Sequence, residues 1–302
     1  MASFITLWLR EQLRLLKPII THSGLDACRA AQDKLGELGA RAAASKTTIE
    51  PVPFSDFEAA AVVPSDCAES DRVILYLHGG GYTAGSLSYA LGFGSVLAVH
   101  CGLPVLCPAY RLAPEHPFPA ALEDAARAYE CLLSAGLSPE NISFVGESAG
   151  GGLLFALCLW LKDRGLPLPG RLAALSPWVD LTFSGHSYAE NARRDPSLSE
   201  ESLRYYACAY ALDDVRNPLV SPVFGDLEGL PPSQIYAGGD EILRDDAVML
   251  HGQLLAAGCV SSLHIEPGLW HAYVLFGVPE ARAALHQIRG FLLGNAAAPE
   301  GR

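Results

Sequence analysis

Ile142-Ser143-Phe144-Val145-Gly146-Glu147-Ser148-Ala149-Gly150-Gly151 holds the most informative turn of this chain. Its first four residues have the short apolar character of a buried strand, Ile142–Val145. The apolar, glycine-led segment that follows predicts a helix over Gly150–Arg164. Between them lies Gly-x-Ser-x-Gly, the form of a nucleophile elbow. A serine there sits in a strained turn, and glycines on either side relieve the crowding where strand and helix converge. The start of the helix adds backbone N–H groups without partners, which favour negative charge. Taken alone, the stretch also fits an ordinary glycine-rich strand–helix turn.

A second glycine run, His78-Gly79-Gly80-Gly81-Tyr82, follows another apolar strand candidate, Val73–Leu77. Consecutive glycines let a backbone approach a ligand closely, and N–H donors aimed at an oxyanion are worth about 3 kcal/mol each. A phosphate cradle is the rival reading. It would need Gly-x-x-x-x-Gly-Lys-Ser/Thr or an accompanying basic residue, and neither is present.

Around these motifs, strands and helices alternate. Further strand candidates are Pro104–Pro108, Arg171–Leu175, Ser233–Ala237 and Ser262–Glu266, and helices are predicted over Ala120–Ala135, Asp245–Ala257 and Glu280–Leu293. The strands lack polar alternation, as strands buried on both faces do, so the class is α/β with a mostly parallel, helix-flanked sheet. Leu181–Asp213 breaks the alternation and turns helical at Ser199, a plausible N-cap. Residues 1–45 form two helical stretches. In the first, Ile5, Leu7, Trp8, Leu9, Leu13, Leu15, Leu16 and Ile19 make a broad apolar face, interrupted by Arg10, Glu11, Arg14 and Lys17. Those charges argue against a secretory signal and against a bilayer span, which needs about 18 to 20 apolar residues. The expected organisation is a helical cap segment at 1–45, a catalytic domain at 46–295 with a cap insertion at about 181–213, and a small-residue tail at 296–302.

The formal net charge of −12 repels phosphate backbones and anionic surfaces. The expected partner is therefore a neutral small molecule, not nucleic acid, and no stable membrane insertion is expected. Eight scattered cysteines without Cys-x-x-Cys or zinc-like spacing suggest reduced thiols and a cytoplasmic location. Neither a metal nor an organic cofactor is called for.

A hydrolytic triad in an α/β fold runs in the order serine, acid, histidine. Of the histidines late enough, His264 falls in a strand and His286 in a helix, whereas His271 lies on the loop after the last strand. For the carboxylate, Asp240 projects from the end of Ser233–Ala237. Asp245 and Asp246 open the next helix, where acids usually serve the helix dipole. The expected triad is Ser148, Asp240 and His271.

These motifs together resemble the hormone-sensitive-lipase-like branch of the α/β-hydrolases. The similarity runs in family order from about Val73 to Leu293. It takes in His78–Gly81, Tyr110-Arg111-Leu112-Ala113-Pro114-Glu115-His116-Pro117-Phe118-Pro119-Ala120-Ala121, Gly146–Gly151, Asp195-Pro196-Ser197-Leu198-Ser199, Ser221-Pro222, Gly239–Asp246 and His271. Glu147 departs from the aspartate that many members carry. The resemblance implies an α/β-hydrolase fold of about eight strands, and an oxyanion hole from the backbone N–H groups of Gly80, Gly81 and Ala149. His78, Gly79 and Glu147 would support it. It further implies a serine carboxylesterase acting on short- to medium-chain esters through an acyl-enzyme, and by analogy a homodimer through the strand near Ser262–Glu266. An amidase, a lactonase, a longer-chain lipase and a non-catalytic binder remain as alternatives. Binders on this scaffold lack the triad histidine, whereas His271 is present.

Overall fold

Eight strands build one sheet in the order β1-β2-β4-β3-β5-β6-β7-β8 in a computed structural model that describes residues 3–21, 23–67 and 70–294. The tail expected at 296–302 lies outside the described residues. Strands β3 (Val73–Leu77), β4 (Val105–Ala109), β5 (Ile142–Glu147), β6 (Arg171–Leu175), β7 (Ser233–Gly238) and β8 (Ser261–Glu266) are parallel. They match the six strand candidates to within two residues. Strands β1 (Thr47–Val52) and β2 (Glu58–Pro64) add an antiparallel edge that the sequence reading leaves unassigned. Prolines at 51 and 64 and the largely exposed face of β1 blur the strand signal there.

Period-two alternation sends neighbouring residues of each central strand to opposite faces. Leu75, Leu77 and Phe144 join one core, beneath α4 (Ala120–Ser134), α5 (Ala149–Asp163) and α8 (Arg244–Ala256). Ile74, Tyr76 and Val145 join the other, beneath α3 (Leu87–Cys101) and α9 (Pro279–Leu292). With apolar layers on both sides, every residue of β3 and β5 is buried. Helix α3 is absent from the sequence reading because it is apolar nearly all round, with Gly92 and Gly94 inside it, so no helical stripe stands out.

Helices α1 (Phe4–Thr21) and α2 (Leu25–Ala43), with α6 (Ser187–Glu190) and α7 (Glu200–Ala211) from the 181–213 insertion, reach loops that follow the strands: Arg10 donates to Gly268 O, Arg29 to Thr83 O and Ser187 to Ile242 O, and Tyr206 lies against Gly81. Helix α2 crosses α3 at near-backbone distance, since a Cβ on Gly36 would stand 2.2 Å from the Ser88 carbonyl oxygen. Ser199 caps α7 as expected, its hydroxyl accepting from the Ser202 N–H.

Helix α1 packs against the domain mainly through its polar side. Its polar residues face the protein: Thr6 donates to Glu280, and Arg10, Arg14 and Lys17 donate to carbonyls of residues 268 and 192–195. Leu9 and Leu13 pack on the core, but Phe4, Ile5, Trp8 and Leu15 are more than half exposed. Helical spacing identifies a stripe, whereas distant carbonyls and carboxylates select which side turns inward. Among the described residues, no helix is long and apolar enough to cross a membrane.

Candidate active site

Ser148 stands between the end of β5 and the first turn of α5 with φ 54° and ψ −121°, a conformation that side-chain-bearing residues rarely adopt. The surrounding glycines make it possible. A Cβ on Gly146 would lie 2.3 Å from the Gly150 carbonyl oxygen, and one on Gly150 would lie 2.0 Å from that of Leu77. Backbone bonds hold the serine itself: its N–H donates to Leu175 O (2.9 Å), and its carbonyl accepts from Trp178 N–H (3.0 Å).

The glycine loop His78–Tyr82 lies against this turn. Gly80 (φ 111°) and Gly81 (φ 61°) occupy backbone conformations that favour glycine. A Cβ on Gly81 would strike the Tyr206 ring of α7 at 2.4 Å, so the insertion roofs the loop. The backbone N–H groups of Gly80, Gly81 and Ala149 donate no hydrogen bond within the described residues, leaving three donors beside Ser148.

Expected supporting residues act by holding this loop. Glu147 is buried and accepts hydrogen bonds from Gly79 N–H (2.6 Å), Tyr76 and Tyr89. Burial pushes its carboxyl up to about 7, against the opposing pull of those donors. His78 stacks on Tyr110 at 4.1 Å, and its Nδ1–H donates to Gly79 O (2.8 Å). Burial lowers its pKa to about 4, so its ring is neutral near pH 7. The guanidinium of Arg29 on α2 ties the same loop, through Thr83 O, to Ala113 O and Glu115 of the Tyr110–Ala121 motif.

The carboxylate that approaches His271 is that of Glu241, whereas the sequence reading expects Asp240. Glu241 Oε2 is 3.6 Å from His271 Nδ1, and among the described residues no other carboxylate lies within 4 Å of that ring. Asp240 turns to two arginines of the cap elements, with Oδ2 2.7 Å from Arg10 Nη1 and Oδ1 3.1 Å from Arg194 Nη2. Neighbouring residues in the bend after β7 point to different sides. Position along the chain does not choose between them, and their distant partners do.

Glu241 is fully buried, and its Oε1 has no partner; neither does His271 Nδ1. Each orphaned buried group costs on the order of 1–3 kcal/mol, and an Nδ1–H donated to this carboxylate would satisfy both residues. The 3.6 Å gap is longer than a hydrogen bond, as catalytic contacts often are before substrate tightens them.

Ser176, which the sequence reading overlooks, links these parts. Its hydroxyl donates to Glu241 Oε2 (2.6 Å) and accepts from Ala272 N–H (2.9 Å), one residue beyond the histidine. Leu175 O and Trp178 N–H hold Ser148 on either side of it. The segment 175–178 therefore bonds to the Ser148 turn, to Glu241 and to the loop of His271. Its only sequence signal is a serine directly after a strand end.

Residues 74–275 match the family described as alpha/beta hydrolase fold. The chain is similar to an acetyl-hydrolase of Streptomyces hygroscopicus, at 40% identity over 227 residues covering 74% of this chain and 76% of that one. It is similar to an esterase of Acinetobacter venetianus, at 35% identity over 228 residues covering 74% and 75% of the two chains. Among solved structures, it resembles that of EstE5 soaked with p-nitrophenyl butyrate, at TM-score 0.91 and 35% identity, covering 97% of this chain and 99% of that one. It also resembles an esterase from the bacterial hormone-sensitive lipase family, at TM-score 0.86 and 33% identity, covering 98% and 100%.

Proposed function

The chain belongs to the α/β-hydrolase fold family, in its hormone-sensitive-lipase-like branch, and on that premise we propose that Ser148, His271 and Glu241 form its catalytic triad. The protein is an esterase that hydrolyses carboxylic esters, as its relatives and structural neighbours are named. The observation that carries the triad is the segment 175–178, which bonds to Ser148, to Glu241 and to the residue after His271.

His271 takes the Ser148 proton as the hydroxyl attacks the ester carbonyl. Glu241 accepts from Nδ1–H, fixing the tautomer and stabilising the imidazolium without itself taking the proton. The N–H groups of Gly80, Gly81 and Ala149 receive the tetrahedral oxyanion. His271 then protonates the leaving alcohol, and water repeats the sequence to release the acid. Short- to medium-chain acyl esters fit this reading, since a structural neighbour was soaked with p-nitrophenyl butyrate. Residues 1–45 and about 181–213 act together as the cap. A cytoplasmic location and a homodimer through the free edge of β8 belong to the same proposal, and light scattering would reveal the dimer mass.

The test is hydrolysis of p-nitrophenyl esters from acetate to palmitate by the wild type and three variants. Ser148→Ala is expected to lose about 10⁴-fold or more in kcat, and Glu241→Gln about 10²- to 10⁴-fold. Asp240→Asn, whose carboxylate faces the cap, is expected to stay within about tenfold of wild type. A silent Asp240→Asn beside an active Glu241→Gln would restore Asp240 as the acid.

A further inference from the structure

We propose that Arg10, on the first cap helix, is a positioning residue of the active site: its one guanidinium fastens the loop carrying the acid to the loop carrying the base. This role presupposes the triad of Ser148, His271 and Glu241. Arg10 Nη1 lies 2.5 Å from Gly268 O and 2.7 Å from Asp240 Oδ2, while Nη2 donates to Arg194 O at 3.0 Å. Asp240 immediately precedes Glu241, and Gly268 stands three residues before His271. The two loops also meet through their backbones, where Gly239 N–H donates to Glu266 O (2.8 Å) and Asp240 N–H to Leu269 O (2.9 Å). Arg10 adds a charged side-chain tie between them.

The tie matters because Asp240 is itself buried. Its other cation, Arg194, is 55% exposed and screened by solvent, so Arg10, at 16%, is the stronger partner. Without Arg10, a buried carboxylate beside Glu241 loses its main counter-charge, and Gly268 O loses a charged donor. The acid and base then gain freedom relative to each other, starting from a separation of 3.6 Å. A misplacement of about 1 Å in a catalytic constellation costs about 10²-fold in rate.

Arg14 and Lys17 supply the contrast. They leave the same helix but donate to carbonyls of Arg193, Ala192 and Asp195, all in the insertion. They dock α1 without touching the acid or base loop. A helix that merely needs docking would be sensitive at all three positions, whereas a positioning role singles out Arg10.

The test compares kcat and KM for p-nitrophenyl butyrate in Arg10→Met and Arg14→Met, with Glu241→Gln alongside. Arg10→Met is expected to lose about tenfold or more in kcat with KM within about twofold, and Arg14→Met to stay within about twofold in both. Guanidinium ion at about 20 mM is expected to recover part of the lost kcat in Arg10→Ala, because it refills the vacated site with the missing charge. Arg10→Lys keeps the charge without the planar fork, and should lose about fivefold in kcat at constant KM. It carries the test if Arg10→Met does not fold. An unchanged kcat in Arg10→Met or Arg10→Lys, an equal loss in Arg14→Met, or a rise in KM alone overturns the proposal. An active Glu241→Gln instead overturns the triad, whatever Arg10 does.

Discussion

On the nucleophile side of the cleft, Ser148 is held almost wholly by main chain: a strand end, a positive-φ turn, the close glycines Gly146 and Gly150, and bonds to Leu175 O and Trp178 N–H. On the acid–base side, Glu241 and His271 sit on loops that share two backbone hydrogen bonds and are otherwise held by side chains from distant parts of the chain. Ser176 bonds to Glu241, Asn191 donates to the carbonyls of Gly239 and Glu241, Asp195 accepts from Ile242 N–H, and Arg10 and Arg194 take Asp240. The nucleophile turn is one contiguous strand–turn–helix stretch whose glycines admit close backbone approach by Leu77 and Leu175 of the adjoining strands. A side-chain-held residue is fixed by partners that sequence order does not reveal. The two banks should therefore fail differently: one sharply when a single methyl intrudes, the other by degrees as its ties are cut.

Gly150→Ala probes the first bank and should have the largest effect. The new Cβ would stand 2.0 Å from Leu77 O and 2.4 Å from His78 O, both backbone atoms at the root of the oxyanion loop. Neither can yield without parting the two motifs. A loss of about 10²-fold in kcat and more than about 3 kcal/mol in urea-unfolding stability is expected. Wild-type turnover and stability in this variant would erase the proposed difference between the banks.

The same contrast explains what could be read in advance. The elbow, the glycine loop, six strands and the position of His271 follow from local pattern, since buried parallel strands are short apolar runs and the motifs sit at their ends. The proposed acid, Glu241, lies one residue beyond the carboxylate that the sequence pattern points to. Asp240 and Glu241 are both carboxylates in one bend, and what separates them is Ser176 on one side and Arg10 on the other, 65 and 230 residues away. The facing of α1 is not legible in its sequence for a related reason. Its apolar stripe is genuine, but ties from Arg10, Arg14 and Lys17 turn the other side inward. Strands β1 and β2 were missed because an edge pair, broken by prolines, shows little of the apolar signature of the centre.

Ser176→Ala tests the second bank and should have a middling effect. It deletes the donor to Glu241 Oε2 and the acceptor of Ala272 N–H, while the φ of 49° is no worse for alanine than for serine. Loss of hydrogen bonding to a charged group costs about 1.5 kcal/mol, so kcat should fall about tenfold with KM nearly constant. A loss as deep as that of Gly150→Ala would mean that the acid is held by one bond, not by several shared ties. No loss would assign its position wholly to the cap.

Glu147→Gln returns to the nucleophile side and should show the smallest effect on kcat, its consequence lying chiefly in stability against pH. Burial raises the Glu147 carboxyl from 4.5 to about 7, so between those values the folded protein keeps a proton that the unfolded chain has released. Folding then binds a proton, and stability from this group is complete below about 4.5, declines as pH rises and levels off above about 7. A shift of this size corresponds to at most about 3 kcal/mol. His78 works the other way over an overlapping window, because burial lowers its pKa from 6.5 to about 4 and costs stability as pH falls. The informative quantity is therefore the difference between wild type and variant, with His78 common to both. Urea-unfolding free energies at pH 5, 6, 7 and 8 should converge toward high pH, the wild type losing an advantage that glutamine cannot lose. Parallel curves would mean that Glu147 is ionised across the range, its three donors outweighing burial. The loop bearing Gly79 would then be held by a full negative charge directly beside the oxyanion site.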